Sequence, residues 1–430
     1  MEIFTNRNFT LLFMGRIISN IGDSLYAVAA MWLVYDLGGS TFYTGLAGVL
    51  SILPRIIQLL SGPLIERFSL KGILVYTQLL QTILLLIVPL ASAFDVLTVG
   101  LVLTITPILT TLNMWVYPAQ MSALPKILEK HQLTQGNSLF SVAYQGIDVA
   151  CNAVSGVLIV MLGPVSLYLW NSLIFLIGAV LFMQLNMRAN MIGTTRSSDI
   201  TYLKDISSIT CEKNKYQKYV SNIKEGLRII LATPLARLLF GIIVINAAGG
   251  ATFTVMPAVA TTLGGSGIYG MLLMAQAGGS MLGAILAPYM KLENVRLGHL
   301  FSGAFLLSGT LWFLSMFGNW NWLVIFLYGL AWFPGGATNV IINTVVQRSV
   351  PEKNIGTVFA ASSALSGIAM PIGSFIGGSL GVVALSSTVI IGCGFAVLCV
   401  GLYWLFDPVA KSLPAAQNMN ESWLYPYLSR

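Results

Sequence analysis

The chain has 430 residues, of which 56% are apolar and only 9% charged, with a formal net charge of +7. A soluble domain carries about 25% charged residues, so this composition excludes a water-facing globule and makes lipid the main solvent. The basic residues are spread over the connections between apolar stretches, which makes nucleic acid a poor explanation for the excess.

In lipid every backbone polar group must be paired internally, so spans are helices or closed barrels. The apolar stretches here are continuous and about 20 residues long, which is the length of a helical span. Barrel strands would be shorter and alternating. In chain order, spans are predicted at 10–35, 42–65, 71–92, 96–117, 137–161, 165–187, 236–260, 266–289, 298–317, 321–346, 356–380 and 385–406. The first runs past Arg16 and Asp23 without a small-residue cleavage site, so it reads as a retained span and not a signal peptide. The expected fold class is therefore an all-α membrane protein with twelve transmembrane helices.

The charges give the topology. Arg7, Arg67, Lys71, Lys126, Lys130, the basic residues from Arg188 to Arg237, Lys291, Arg296, Arg348, Lys353, Lys411 and Arg430 all fall before the first span, after the last, or in even-numbered connections. The odd-numbered connections hold none; only Arg16 and Arg55 lie inside spans away from their ends. By the positive-inside rule both termini are expected in the cytoplasm. Trp32 with Tyr35, Trp115 with Tyr117 and Trp320 with Trp322 suit the membrane–water boundaries. The longest polar stretch lies midway, between six spans and six. This gives an N-terminal six-helix bundle at 1–188, a linker at 189–233, a C-terminal bundle at 234–410 and a tail at 411–430. The halves repeat weakly: Leu124-Pro125 followed by Asn137-Ser138-Leu139-Phe140 answers Val350-Pro351 followed by Gly356-Thr357-Val358-Phe359. Two repeated six-helix halves are a transporter architecture.

Five segments carry a resemblance: Asn8-Phe9-Thr10-Leu11-Leu12-Phe13 running to Ser19-Asn20-Ile21-Gly22-Asp23; Gly62-Pro63-Leu64-Ile65-Glu66-Arg67; Pro118-Ala119 with Leu124-Pro125; Glu225-Gly226-Leu227; and Gln347 to Gly356. They resemble the major facilitator superfamily, and within it the macrolide-efflux-type branch of drug:proton antiporters, which includes siderophore exporters. The resemblance implies two pseudo-symmetric six-helix bundles in a bacterial inner membrane. It also implies that Glu66 and Arg67 latch a cytoplasmic gate. The loop carries Glu66 where the family has Asp, and the fifth span lacks the Gly-Pro of the antiporter motif.

Intramembrane polar residues are the candidates for chemistry, because a charge at the bilayer centre costs about 2.5–3.5 kcal/mol on insertion scales. Asp23 in the first span and Asp148 in the fifth are the proton-coupling candidates: a carboxyl away from water favours its neutral form and can load and release a proton. Arg16, Asn20 and Asp23 share one face at i, i+4, i+7; a packing network is the other reading. Asn20, Arg55, Gln276, Asn339 and Asn343 are the substrate-binding candidates, with interhelical glue the alternative for the amides and ion pairing or snorkelling for Arg55. Pro334-Gly335-Gly336 reads as a mid-membrane break in the tenth span.

The glycine pairs are not followed by Lys-Ser/Thr, so no nucleotide site is implied, and the four cysteines show no metal spacing. No cofactor or metal is expected. The reading is a monomeric, proton-coupled exporter of a small organic molecule, such as a drug-like compound or a siderophore-like chelator, cycling by alternating access; its partners are substrate, protons and membrane lipid. An importer, a membrane-embedded transferase and a non-transporting receptor are the rivals.

Overall fold

The computed structural model describes residues 2–50, 54, 69–128, 132–186, 228, 231, 233–318, 320–350 and 352–419. Among these, twelve helices have ten residues or more: α1 Arg7–Gly38, α2 Thr41–Leu50, α3 Leu70–Ala93, α4 Val99–Ile127, α5 Leu133–Leu162, α6 Pro164–Met183, α7 Leu235–Leu263, α8 Ser266–Tyr289, α9 Leu297–Ser315, α10 Asn321–Ser349, α11 Glu352–Val383 and α12 Ser386–Phe406. A short α13 follows at Pro408–Ser412. The described residues contain no strand, only an isolated bridge between Arg296 and Ala415. Nine of the helices are long and apolar enough to cross a membrane by themselves. The chain is an all-α membrane protein.

Local chemistry sets the helix ends. The Asn6 side chain accepts from the amides of Asn8 and Phe9 and starts α1; Gly39, at φ 61°, ends it in the left-handed region that glycine tolerates. Ser69 and Thr98 cap α3 and α4 in the same way as Asn6. Pro164 opens α6, where its missing N–H costs nothing. The span predicted at 96–117 coincides with the apolar stretch Val99–Val116 of α4, and the helix continues beyond it to Ile127. One expectation needs correction. Pro334-Gly335-Gly336 does not break α10, which is continuous from Asn321 to Ser349. The glycines serve packing instead: a Cβ on Gly336 would lie 1.8 Å from the Ser280 carbonyl oxygen of α8, and one on Gly283 would lie 1.9 Å from that of Phe333.

The contacts divide the chain into two compact units, residues 1–39 with 50–212 and residues 40–49 with 213–430. In the first, α6 packs on α1 and α3, α5 on α1, and α4 on α3. In the second, α12 packs on α7 and α9, α11 on α7, and α10 on α9. Each pair in the second unit is the first-unit pair moved by six helices, so the weak sequence repeat is a structural one. The first turns of α2 pack within the second unit: Thr41 Oγ1 donates to the Gly378 carbonyl and Thr44 Oγ1 to that of Thr254, each at 2.9 Å.

One end of each unit gathers the polar connections. In the first, Lys71 Nζ donates to the Leu185 carbonyl, Asn6 Nδ2 to that of Ile127, and Asn8 exchanges two hydrogen bonds with the Asn186 backbone. Beneath them Phe4, Phe9, Phe13 and Phe140 form one aromatic cluster. Two of its rings belong to the Asn8–Phe13 segment noted in the sequence. In the second, Arg237 at the start of α7 pairs with Asp407 after α12.

Candidate functional site

The polar residues of α1 meet a matching face of α4. Arg16, Asp23 and Tyr26 occupy one side of α1; Gln120, Asn113 and Thr106, spaced seven residues apart, occupy one side of α4. Because the helices are antiparallel, the sets meet in order. Arg16 Nη1 donates to Gln120 Oε1 at 3.1 Å. Asp23 lies in the field of Arg16 and within hydrogen-bonding reach of the Asn113 amide. The buried Tyr26 hydroxyl lies beside Thr106, whose own hydroxyl donates to the Val102 carbonyl at 2.8 Å. Arg16 is 2% exposed and Asn20 4%, while Asp23 is only partly buried. A carboxylate on an apolar helix thus has one cation, one amide and some access to the surface.

The sequence reading named Arg16, Asn20 and Asp23 as one face, and the structure places them there. It missed Gln120 and Asn113. The i, i+7, i+14 run of Thr106, Asn113 and Gln120 was the available signal; ending the fourth span at residue 117 hid it.

A second buried polar group lies on α3 and α6. Gln78 Nε2 donates to Gln81 Oε1 at 3.2 Å, and the Gln78 side-chain oxygen, Oε1, sits over Gly178, 2.7 Å from where a Cβ would be. Asn171 and Tyr168 on α6 are 1% and 0% exposed. Both amide atoms of Asn171 and the Tyr168 hydroxyl have no hydrogen-bond partner among the described residues. Each such group costs about 1–3 kcal/mol if it stays unmet.

In the second unit, Gln276 accepts from the Tyr328 hydroxyl at 3.0 Å, so its carbonyl is already engaged. Asn339 and Asn343 are exposed on α10. They lie on average about 120° around the helix from exposed Trp322, Phe326 and Leu330. A bundle helix with one exposed apolar face and one exposed polar face meets two different media. Trp332, on the polar side, packs against Trp312 and Tyr328. A cavity of about 470 Å³ lies between α7, α11 and α12; its wall is almost wholly apolar, with Ala247, Ala251, Gly373, Gly377 and Cys393 among its residues. Its polar side chains are those of Thr388 and Cys393. Among the described residues no cluster of His, Cys, Asp or Glu could hold a metal ion. Asp148 lies on α5, with its side chain outside the described residues; Arg55, Glu66 and Arg67 also lie outside them.

Comparisons with known proteins agree on the architecture. The model of the Major Facilitator Superfamily matches residues 12–374. An uncharacterized MFS-type transporter of Bacillus subtilis, YvqJ, is 25% identical over 415 residues, covering 94% of each chain. The multidrug efflux pump Tap of Mycolicibacterium fortuitum is 22% identical over 419 residues, covering 95% of this chain and 97% of its own. Among solved structures, a peptide transporter POT aligns with a TM-score of 0.65 at 13% identity over 95% and 96% of the two chains. A bacterial homologue of the iron transporter ferroportin, in the inward-facing state, aligns with a TM-score of 0.63 at 12% identity over 93% and 99%.

Proposed function

The chain belongs to the major facilitator superfamily, which makes it a multi-pass membrane transporter and not an enzyme, and we propose that it exports a small organic molecule in exchange for protons. The observation that carries this reading is the Arg16–Asp23–Asn113 arrangement. As a carboxylate, Asp23 balances Arg16 in a setting where an unbalanced charge is costly. A proton on Asp23 removes that balance and leaves Arg16 as a net positive charge. The site then attracts a cationic substrate when Asp23 is ionised and repels it when Asp23 is protonated. Proton and substrate compete for one negative charge, which is the requirement for exchange.

On this reading the protein sits in a bacterial inner membrane as a monomer with both termini in the cytoplasm, and belongs to the macrolide-efflux-type branch. The similarity to a multidrug efflux pump supports the direction and a drug-like substrate. Asp148 is a second proton site. Asn20 and Arg55 bind substrate in the N-terminal bundle (1–188), and Gln276, Asn339 and Asn343 in the C-terminal bundle (234–410). Glu66 and Arg67 latch the cytoplasmic gate. The linker at 189–233 and the tail at 411–430 carry no transport residue.

The test is flux of ethidium, a fluorescent cationic probe, in proteoliposomes under an imposed proton gradient. Wild type should accelerate with the gradient. Asp23→Asn and Asp148→Asn should each lose that acceleration, by tenfold or more. Normal gradient-driven flux in both variants would remove the coupling assignment, and indifference of the wild type to any gradient would remove the antiport reading.

A further inference from the structure

The Tyr168–Asn171 pair on α6 has a place in this scheme. Three contacts fix how α6 runs along α1. A Cβ on Gly15 would meet Phe182, one on Gly22 would meet Phe175, and the Tyr26 ring lies edge-on to Tyr168 with centroids 5.7 Å apart. The helices are therefore antiparallel, with Asn171 level with Tyr26 and one turn from Asp23. Tyr168 lies one turn inside the Pro164 end of α6, and Asn171 about 10 Å inside it at 1.5 Å per residue. Tyr168, Asn171, Tyr26 and Asp23 thus make one polar line from that end of the bundle to the carboxyl.

The chemistry of the line selects its occupant. Asn171 offers a donor and an acceptor, and Tyr168 a hydroxyl that is both; none of these is engaged among the described residues. A bound cation would satisfy only the acceptors, and an anion only the donors. Water satisfies both, and buried waters typically make about three such bonds to groups of this kind. Among the described side chains, the acid and base groups of the two helices are Asp23, Arg16 and Tyr26 on α1 and Tyr168 on α6; α5, which packs on both, carries Asp148. The described part of α3 and α4 brings only amides and hydroxyls: Gln78, Gln81 and Thr82 from α3 and Thr106 and Asn113 from α4.

We infer that Tyr168, Asn171 and Tyr26 hold a short file of water between α1 and α6, and that this file carries the proton between the Pro164 end of the bundle and Asp23. Each water accepts one proton and passes one on, so nothing is consumed. The inference rests on the proton-coupled reading, but its first test does not.

X-ray radiolysis of the wild-type protein in liposomes oxidises side chains that touch bound water even when they are buried. Tyr168 and Tyr26 should be labelled, and Asn171→Leu should reduce the labelling several-fold. An unlabelled Tyr168 overturns the water file, whatever the transport data say. The second test compares gradient-driven ethidium flux with ethidium exchange at equal pH, for Tyr168→Phe and Asn171→Leu. Gradient-driven flux should fall about tenfold while exchange stays within twofold, since exchange needs no net proton movement. A parallel fall of both means a packing role and overturns the inference, as does unchanged flux in both variants. If Tyr168 is labelled but wild-type flux ignores the gradient, the file's proton-carrying role falls together with the coupling of the previous subsection, and the water site alone stands.

Discussion

Asp23 draws its importance from its neighbours. Alone, it would be a charge stranded in an apolar helix; with Arg16 held by Gln120 on one side and Asn113 on the other, it has a defined partner to lose on protonation. Gln120→Leu should therefore act at a distance. It leaves Arg16 without its amide acceptor and frees the guanidinium to bind Asp23 more tightly. The half-maximal proton concentration for transport should rise by several-fold while protein yield is kept. A pH titration of ethidium flux checks this, and an unshifted midpoint would assign Gln120 to packing alone. A different kind of residue is Phe9, fully buried between Phe4, Phe13 and Phe140. Phe9→Ala should destabilise the first unit by about 3–5 kcal/mol, the usual cost of emptying an aromatic site, with a lowered Tm in detergent as the readout. At this scale the sequence was half legible. The α1 face could be read because charges in an apolar stretch announce themselves. Asn113 and Gln120 showed only through their seven-residue spacing with Thr106, and Asn171 could not be read, because a single amide in a span looks the same whether it binds, glues or holds water.

At the scale of the helix, glycine decides how closely neighbours lie. Gly336 and Gly283 bring α8 and α10 to backbone contact, and Gly279 does the same against Gly329. Gly336→Leu has no room beside the Ser280 carbonyl. It should force the helices apart and lower both Tm and the monodisperse yield, whereas Gly335→Ala, with open space around it, should be tolerated. The sequence showed the glycine pairs but not which member of each pair touches a neighbour. It also suggested a break at Pro334, because proline normally interrupts a helix; the surrounding turns keep α10 continuous. The first turns of α2 pose a sharper question. Thr41 bonds to the Gly378 carbonyl on α11, although α2 belongs by sequence to the first six helices. If transport requires these segments to separate, a disulfide between Thr41→Cys and Gly381→Cys, where a Cβ on Gly381 would lie 3.2 Å from that of Thr41, should stop flux, and reduction should restore it. Undiminished flux in the fully cross-linked protein would show that the contact persists throughout the cycle.

Across the whole molecule, the two units repeat in helix pairing but not in chemistry. The first places Arg16 and Asp23 inside its spans; the second has amides, hydroxyls and aromatic rings in their place, with no mid-span acid or base among its described residues. This division suits one unit to proton coupling and the other to neutral contacts with the substrate. The helix number and the repeat were legible in the sequence because apolar length and the placement of positive charge are properties of the whole chain. The contacts of α4, α6 and α10 were not, since they depend on which faces meet. The central claim is that substrate leaves as protons enter through Asp23. The most direct measurement places a pH-sensitive dye inside proteoliposomes that hold the protein in one orientation and starts transport with ethidium on the cytoplasmic face. The predicted result is a proton flow opposite to ethidium and proportional to it in wild type, and loss of both flows in Asp23→Asn, where Arg16 keeps an unbalanced positive charge. Ethidium movement in wild type without any accompanying proton flow would contradict the account.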